Sequence, residues 1–177
     1  YVEEVDVTEV ERLRLELNAS RSDGQPKLSL LPFLMRAVVH AVADHPQMNA
    51  RFDDEAGVVE RHRAVHLGIA VQTDRGLMVT VLKHAQGGDL WHHAAEVTRL
   101  ANAARTAKIS LEELTGSTIT ITSLGALGGI VSTPVINAPE VAIIRVNKIV
   151  ERPVYIGEVQ ANGQFNVVWK TPGPIRA

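Results

Sequence analysis

Apolar positions recur along the chain with two different spacings, and the changes between them predict its elements. Tyr1 to Val7 alternates and predicts a short strand. Thr8 and Glu11 stand at capping-box spacing, and Val10, Leu13 and Leu17 recur at helical spacing behind them. Asn18 to Pro26 is polar, rich in turn formers, and reads as a loop. Ser29 and Pro32 suit the start of a second helix near Leu30 to Asp44. That helix is apolar on most of its circumference, which predicts burial. Arg51 to Ala56 reads as an acidic turn. Alternation returns at Val58 to Arg61 and at Val65 to Thr73, where Val65, Leu67, Ile69 and Val71 share a face. Asp74-Arg75-Gly76 turns the chain, and Leu77 to Leu82 comes back as a strand. Asp89 caps a third helix reaching about Thr106, with Leu90, Ala94, Val97, Ala101 and Ala104 as its inner stripe. Ser110 and Glu113 form a second capping box for a brief helix that ends at Gly116.

The stretch from Gly116 to Ile144 organises the rest. Thr118 to Thr122 alternates hydroxyl and β-branched apolar residues. The alternation puts Ile119 and Ile121 on one side of a strand and Thr118, Thr120 and Thr122 on the other. Ser123-Leu124-Gly125 and the Gly128-Gly129 pair follow, where glycine permits close approach of a backbone or ligand. A row of hydroxyls ending in a glycine-rich turn can put a donor beside a reacting group. Further strands are expected at Val141 to Val146 and Val154 to Ile156. Asn162-Gly163 signals a type I′ hairpin that returns through Phe165 to Trp169. No repeat, low-complexity tract or linker interrupts the 177 residues, so one domain is expected. Long helices among mostly hairpin-joined strands predict a mixed α/β or α+β fold of two layers.

Composition narrows the function. The chain is 45% hydrophobic and 21% charged, as in an ordinary globular domain. A net charge of −2 and a pI near 6.4 give no electrostatic case for nucleic acid or an anionic membrane. There are no cysteines, which excludes disulfides, cysteine-ligated zinc and a thiol nucleophile. The first residues lack a signal-peptide pattern, and the apolar run from Leu28 to Ala43 is broken by Arg36 and His40. No GxSxG, GxxxxGK or HExxH motif occurs. Gly125, Gly128 and Gly129 precede a poor helix start, so they suit a tight turn better than a dinucleotide loop. The seven histidines do not stand at ligand spacing with carboxylates or cysteines, and packing or surface roles are expected for them.

The blocks TITSLGALGG and STPVINAPEVAI resemble the signature of the dihydrolipoamide acyltransferases, the core-forming components of 2-oxoacid dehydrogenase complexes. Other ordered blocks share the resemblance between about Val5 and Gly157. They include Leu30-Leu31-Pro32-Phe33, His45-Pro46 through Ala50, Leu67 through Leu77, Ala103-Ala104-Arg105, Lys108-Ile109-Ser110 and Leu114-Thr115-Gly116. The resemblance implies a chloramphenicol-acetyltransferase-like fold: helices on one face of a mixed sheet, in subunits that form a homotrimer and then a larger core. It implies acyl transfer, acetyl or branched-chain, between lipoyl-lysine and coenzyme A. Coenzyme A is then a substrate, the lipoyl group comes from a lipoyl domain outside this chain, and no metal takes part. The implied partners are that lipoyl domain, a 2-oxoacid decarboxylase and dihydrolipoamide dehydrogenase. The implied setting is the bacterial cytoplasm, or the mitochondrial matrix in a eukaryote.

By the same resemblance Thr122 is the oxyanion-stabilising hydroxyl, and Ser123, Leu124, Gly125, Gly128 and Gly129 surround the substrate. Two departures stand out. The family's catalytic histidine lies in a DHRxxDG-like motif, yet no histidine follows Gly157. Arg145 stands where the family usually has glycine after Ile144. A catalytically inactive core or scaffold protein of such a complex is therefore the alternative expectation.

Overall fold

The computed structural model describes residues 1–123 and 133–147, together with the backbone of residues 151–152, 155–159, 165–170 and 175–176. Its centre is a four-stranded mixed sheet. Strands β3 (Leu67–Thr73) and β4 (Gly76–Leu82) form an antiparallel hairpin. Strand β5 (Ile119–Ser123) pairs parallel to β3, and β6 (Ile143–Val146) pairs parallel to β5, giving the order β4-β3-β5-β6. Helices α2 (Leu31–Asp44) and α3 (Leu90–Arg105) pack on one face, so the expected two layers are present.

The alternation in sequence explains which face is which. Leu67, Ile69 and Val71 of β3 and Ile119 and Ile121 of β5 point to the helices. They meet Met35, Val38, Val39 and Val42 of α2 and Leu100 and Ala104 of α3 in one core. Leu82, Ala85 and Ala142 close its edges. Burying apolar area at about 25 cal/mol per Å2 is the main favourable contribution to such a layer. Pro32 sits in the first turn of α2, where its missing N–H costs nothing. Asp89 caps α3 by accepting the His92 N–H at 2.7 Å. The stripe of α3 is rotated from expectation: His93, Ala94, Leu100 and Ala104 are its buried residues, and Leu90, Val97 and Ala101 are partly buried.

Three expectations need correction. Tyr1 to Val7 is not a strand. Among the described residues nothing pairs with it, and Tyr1, Val2 and Val5 are exposed. An extended segment needs a partner for its backbone groups to be a strand. Thr8 and Glu11 form no capping box at α1 (Thr8–Ala19). Val7 is the cap position, and the Asp6 carboxylate takes the Thr8 N–H at 2.9 Å. Glu11 is buried against Arg14 at 2.8 Å, and Arg14 also reaches the Leu28 carbonyl. Only the second half of Arg51 to Ala56 is a turn, because β1 (Ala50–Asp53) pairs antiparallel with β2 (Val58–Arg61). The turn between them is tied by Asp53, whose side chain accepts the N–H groups of Glu55 and Ala56.

The second capping box does form. Ser110 and Glu113 exchange hydrogen bonds of 3.0 and 3.3 Å around a single 3-10 turn, Glu112–Leu114. Arg99 and the Ser110 N–H hold the Glu113 carboxyl below its usual range, the backbone bond contributing most. Near the end of the chain β8 (Tyr155–Val159) and β9 (Phe165–Lys170) pair antiparallel, as the hairpin signal predicts. They follow β7 (Glu151–Arg152), which pairs with β10 (Ile175–Arg176). The predicted turn Asn162-Gly163 lies outside the described residues.

Candidate active site

The face of β5 turned away from the helices carries Thr118, Thr120 and Thr122, as the alternation requires. Their hydroxyls have different fates. Thr118 donates to the buried Asn49 Oδ1 at 2.5 Å and accepts the His66 N–H at 3.0 Å. Asn49 in turn donates to the carbonyls of His62 and Ala64, which fixes its orientation. Thr120 donates to Glu140 Oε1 at 2.9 Å. It also lies over Gly68, where a Cβ would stand 2.3 Å from the Thr120 hydroxyl oxygen, so this sheet position needs glycine. Among the described residues nothing takes the Thr122 hydroxyl. Thr122 is only 6% exposed, whereas Ser123 at the strand end is exposed.

Thr122 is the register partner of Arg145 across the parallel β5–β6 pair. Register partners share a face, so Arg145 rises beside the threonine. Its Nε donates to Asn147 Oδ1 at 3.3 Å. Thr122 and Ser123 therefore stand where the sequence places them, at the carboxyl end of β5. Leu124, Gly125, Gly128 and Gly129 lie outside the described residues. Sequence reasoning missed Asn49, Ser117, Asn137 and Glu140, which hold the hydroxyl face. The one signal was a lone carboxylate, Glu140, inside the apolar run VINAPEVAII.

His66, His84 and His93 take packing roles. His66 and His84 meet edge to face at 4.7 Å, and His66 Nδ1 accepts the His84 N–H at 3.1 Å. Burial lowers the His66 pKa, and the nearby Lys83, His84 and His62 lower it further. His93 is fully buried, and its Nε2 bonds the Ala85 carbonyl at 2.9 Å. Burial is again the main cause of its lowered pKa. His66 touches Thr118, four residues and so about 13 Å along the strand from Thr122. That separation is too great for direct proton transfer at Thr122. Among the described residues no cluster of three or more His, Asp or Glu could hold a metal ion, and no helix is long and apolar enough to cross a membrane.

The mixed sheet is covered by helices on one face, and the Thr122 hydroxyl, which takes no partner among the described residues, stands at the carboxyl end of a central strand. The chain belongs to the 2-oxoacid dehydrogenases acyltransferase (catalytic domain) family, whose profile matches residues 1–169. It is 61% identical over 168 residues to the lipoamide acyltransferase component of the branched-chain alpha-keto acid dehydrogenase complex of Pseudomonas putida. That match covers 94% of this chain and 40% of the relative. A pyruvate dehydrogenase acetyltransferase component from Staphylococcus epidermidis is 38% identical over 153 residues, 86% of this chain and 35% of the relative. The chain thus spans about two fifths of the length of these curated relatives.

Among solved structures, the dihydrolipoamide acetyltransferase of Azotobacter vinelandii superposes with a TM-score of 0.82 at 33% identity, covering 98% of this chain and 68% of that one. A serine, a histidine and an asparagine were studied there for roles in catalysis. The cubic core of a pyruvate dehydrogenase multienzyme complex matches equally, with a TM-score of 0.82, 33% identity and the same coverage. A truncated 2-oxoacid dehydrogenase catalytic core from Thermoplasma acidophilum gives 0.79 at 39% identity, covering 85% of this chain and 68% of that one. The chloramphenicol-acetyltransferase-like fold expected from the resemblance is therefore present.

Proposed function

We propose that this region carries the acyl-transfer chemistry of a branched-chain 2-oxoacid dehydrogenase complex, moving an acyl group between a dihydrolipoyl thiol and coenzyme A. Thr122 donates its hydroxyl hydrogen to the oxyanion. In this step the sulfur of one thiol attacks the thioester carbonyl, and the carbonyl oxygen takes up negative charge. Collapse of the tetrahedral species expels the other sulfur. A donor aimed at that oxygen is worth about 2.7–4 kcal/mol. The observation that carries the assignment is the division of labour on β5: Thr118 and Thr120 donate their hydroxyls to Asn49 and Glu140, and among the described residues none takes that of Thr122.

The base that accepts the thiol proton is a histidine in the family, in a motif that the 177 residues do not contain. Self-association into trimers and then a larger core belongs to the same reading, in line with the neighbour that forms a cubic core.

The test is Thr122→Val in the full-length protein, assayed by acyl transfer from acyl-CoA to dihydrolipoamide. The expected fall in kcat is about 10²–10³ with normal folding, and KM stays nearly constant because the contact belongs to the transition state. Thr122→Ser keeps most of the activity. Wild-type kcat in a folded Thr122→Val protein would move the role to Ser123.

A further inference from the structure

We propose that Glu140 is a positioning residue for this reaction, a pin that fixes the register and orientation of the hydroxyl face of β5. The inference rests on the reading of Thr122 as the oxyanion donor.

Glu140 lies three residues before β6 and is 6% exposed. Three donors converge on a single one of its oxygens. Ser117, which precedes β5, donates its hydroxyl to Oε1. Thr120, in the middle of β5, donates at 2.9 Å. Asn137, in the segment leading to β6, donates its amide at 2.9 Å. The second oxygen, Oε2, is buried and has no partner among the described residues. Buried polar side chains ordinarily find partners, so a half-satisfied one marks a site held for another reason. The carboxyl thus grips β5 at Thr120, the residues leading into it at Ser117, and its own approach segment at Asn137.

The consequence for Thr122 follows from strand geometry. Thr120 and Thr122 share a face, and a slip of one residue would turn that face toward the helices. The β5–β6 pairing begins at Thr120 and Ile143 and ends at Ser123 and Val146, so it is only four residues long. The Glu140 clamp holds Thr120, the first residue of that ladder, and adds to the register already set by the pairing to β3 and by the buried Ile119 and Ile121. The clamp also fixes the rotamer of Thr120 over Gly68. A loosened strand would spread the Thr122 hydroxyl over many positions, and a misplacement of about 1 Å can cost about 10²-fold in rate.

Backbone bonds anchor the same segment independently. Phe52 N–H donates to the Pro139 carbonyl at 2.7 Å, and Val141 N–H donates to the Ala50 carbonyl at 3.2 Å. The fold therefore does not hang on the carboxyl, and a Glu140 variant can be examined in folded protein.

The experiment measures kcat, KM and denaturation midpoint for Glu140→Ala, Glu140→Gln, Thr122→Val and the Thr122→Val/Glu140→Ala double variant of the full-length protein. Glu140→Ala should lower kcat by about 10- to 100-fold and leave KM in place. Glu140→Gln should recover most of kcat, because its carbonyl oxygen accepts the same three donors. The double variant should be no slower than Thr122→Val alone, since Glu140 acts through Thr122. Wild-type kcat in Glu140→Ala beside a crippled Thr122→Val overturns the proposal and leaves the Thr122 assignment intact. Losses that multiply in the double variant also overturn it. A fully active Thr122→Val overturns the assignment itself and this inference with it. If Glu140→Ala does not fold, Ser117→Ala and Asn137→Ala remove one donor each and should lower kcat partway at constant KM. Wild-type kcat in both would then overturn the pin.

Discussion

The two faces of β5 are built by different physics. On the helix side Ile119 and Ile121 pack into a shared aliphatic core, where contacts are numerous and interchangeable. On the other side Thr118 is held by Asn49 and the His66 N–H, and Thr120 by Glu140, through directional hydrogen bonds. Packing tolerates small shifts and is lost in proportion to the volume removed. A buried hydrogen bond is lost outright when one partner goes, and the other is left unsatisfied. The apolar face therefore supplies bulk stability, and the hydroxyl face supplies position, which is what an oxyanion donor needs.

The comparison is sharpened most by Ile119→Ala. Ile119 is 1% exposed and far enough from Thr122 to separate stability from catalysis. Unfolding free energy should fall by about 2–5 kcal/mol in chemical denaturation, while kcat per folded molecule stays close to wild type. A matching collapse of kcat would show that the two faces are not separable. Thr118→Val is the counterpart. It keeps volume and strand propensity but strands the Asn49 Oδ1 and the His66 N–H. The expected loss is about 1–3 kcal/mol, smaller than for the isoleucine although a single oxygen is exchanged for a methyl. A stability equal to wild type would mean that the bond contributes nothing net.

The same contrast explains what the sequence could reveal. Alternation assigned the two faces of β5 and, with the Asp74-Arg75-Gly76 turn, the hairpin β3–β4, while capping residues and apolar spacing assigned helices α2 and α3. The partners of the hydroxyl face were not legible. Asn49 is 69 residues from Thr118, and Glu140 is 20 residues from Thr120. No local pattern announces such a pair. The strand expected at Tyr1 to Val7 failed for a related reason, since alternation cannot state whether a partner strand exists.

Capping boxes lie between these extremes. Ser110 and Glu113 close as their spacing promises, whereas Thr8 and Glu11 do not. Glu11 is taken by Arg14, and Asp6 takes the backbone N–H instead. Ser110→Ala should cost about 1 kcal/mol. Thr8→Ala should cost less, because the backbone bond to Asp6 survives. Equal losses in thermal or chemical unfolding would mean that the N-terminal box forms after all.

The smallest expected effect belongs to His66, at the far end of the hydroxyl face. Its neutral Nδ1 accepts the His84 N–H, and its own N–H goes to Thr118. Protonation would put a hydrogen on Nδ1 and a charge beside Lys83 and His84. Both disfavour the folded arrangement, after the larger contribution of burial, so the folded pKa lies below the unfolded value of 6.5. The unfolded chain then binds more protons than the folded one as pH falls, and stability declines with it. His66 thus contributes fully above about pH 6.5, and its contribution fades as pH drops through the folded value. His93 is shifted the same way by burial, so the wild-type slope alone does not isolate His66. The informative measurement is the difference in unfolding free energy between pH 7.5 and 5.5 for wild type and for His66→Asn, with His93 present in both. His66→Asn should show the shallower decline. Identical slopes would mean that His66 takes up its proton without strain, and that the hydrogen bond from His84 does not depend on a neutral ring.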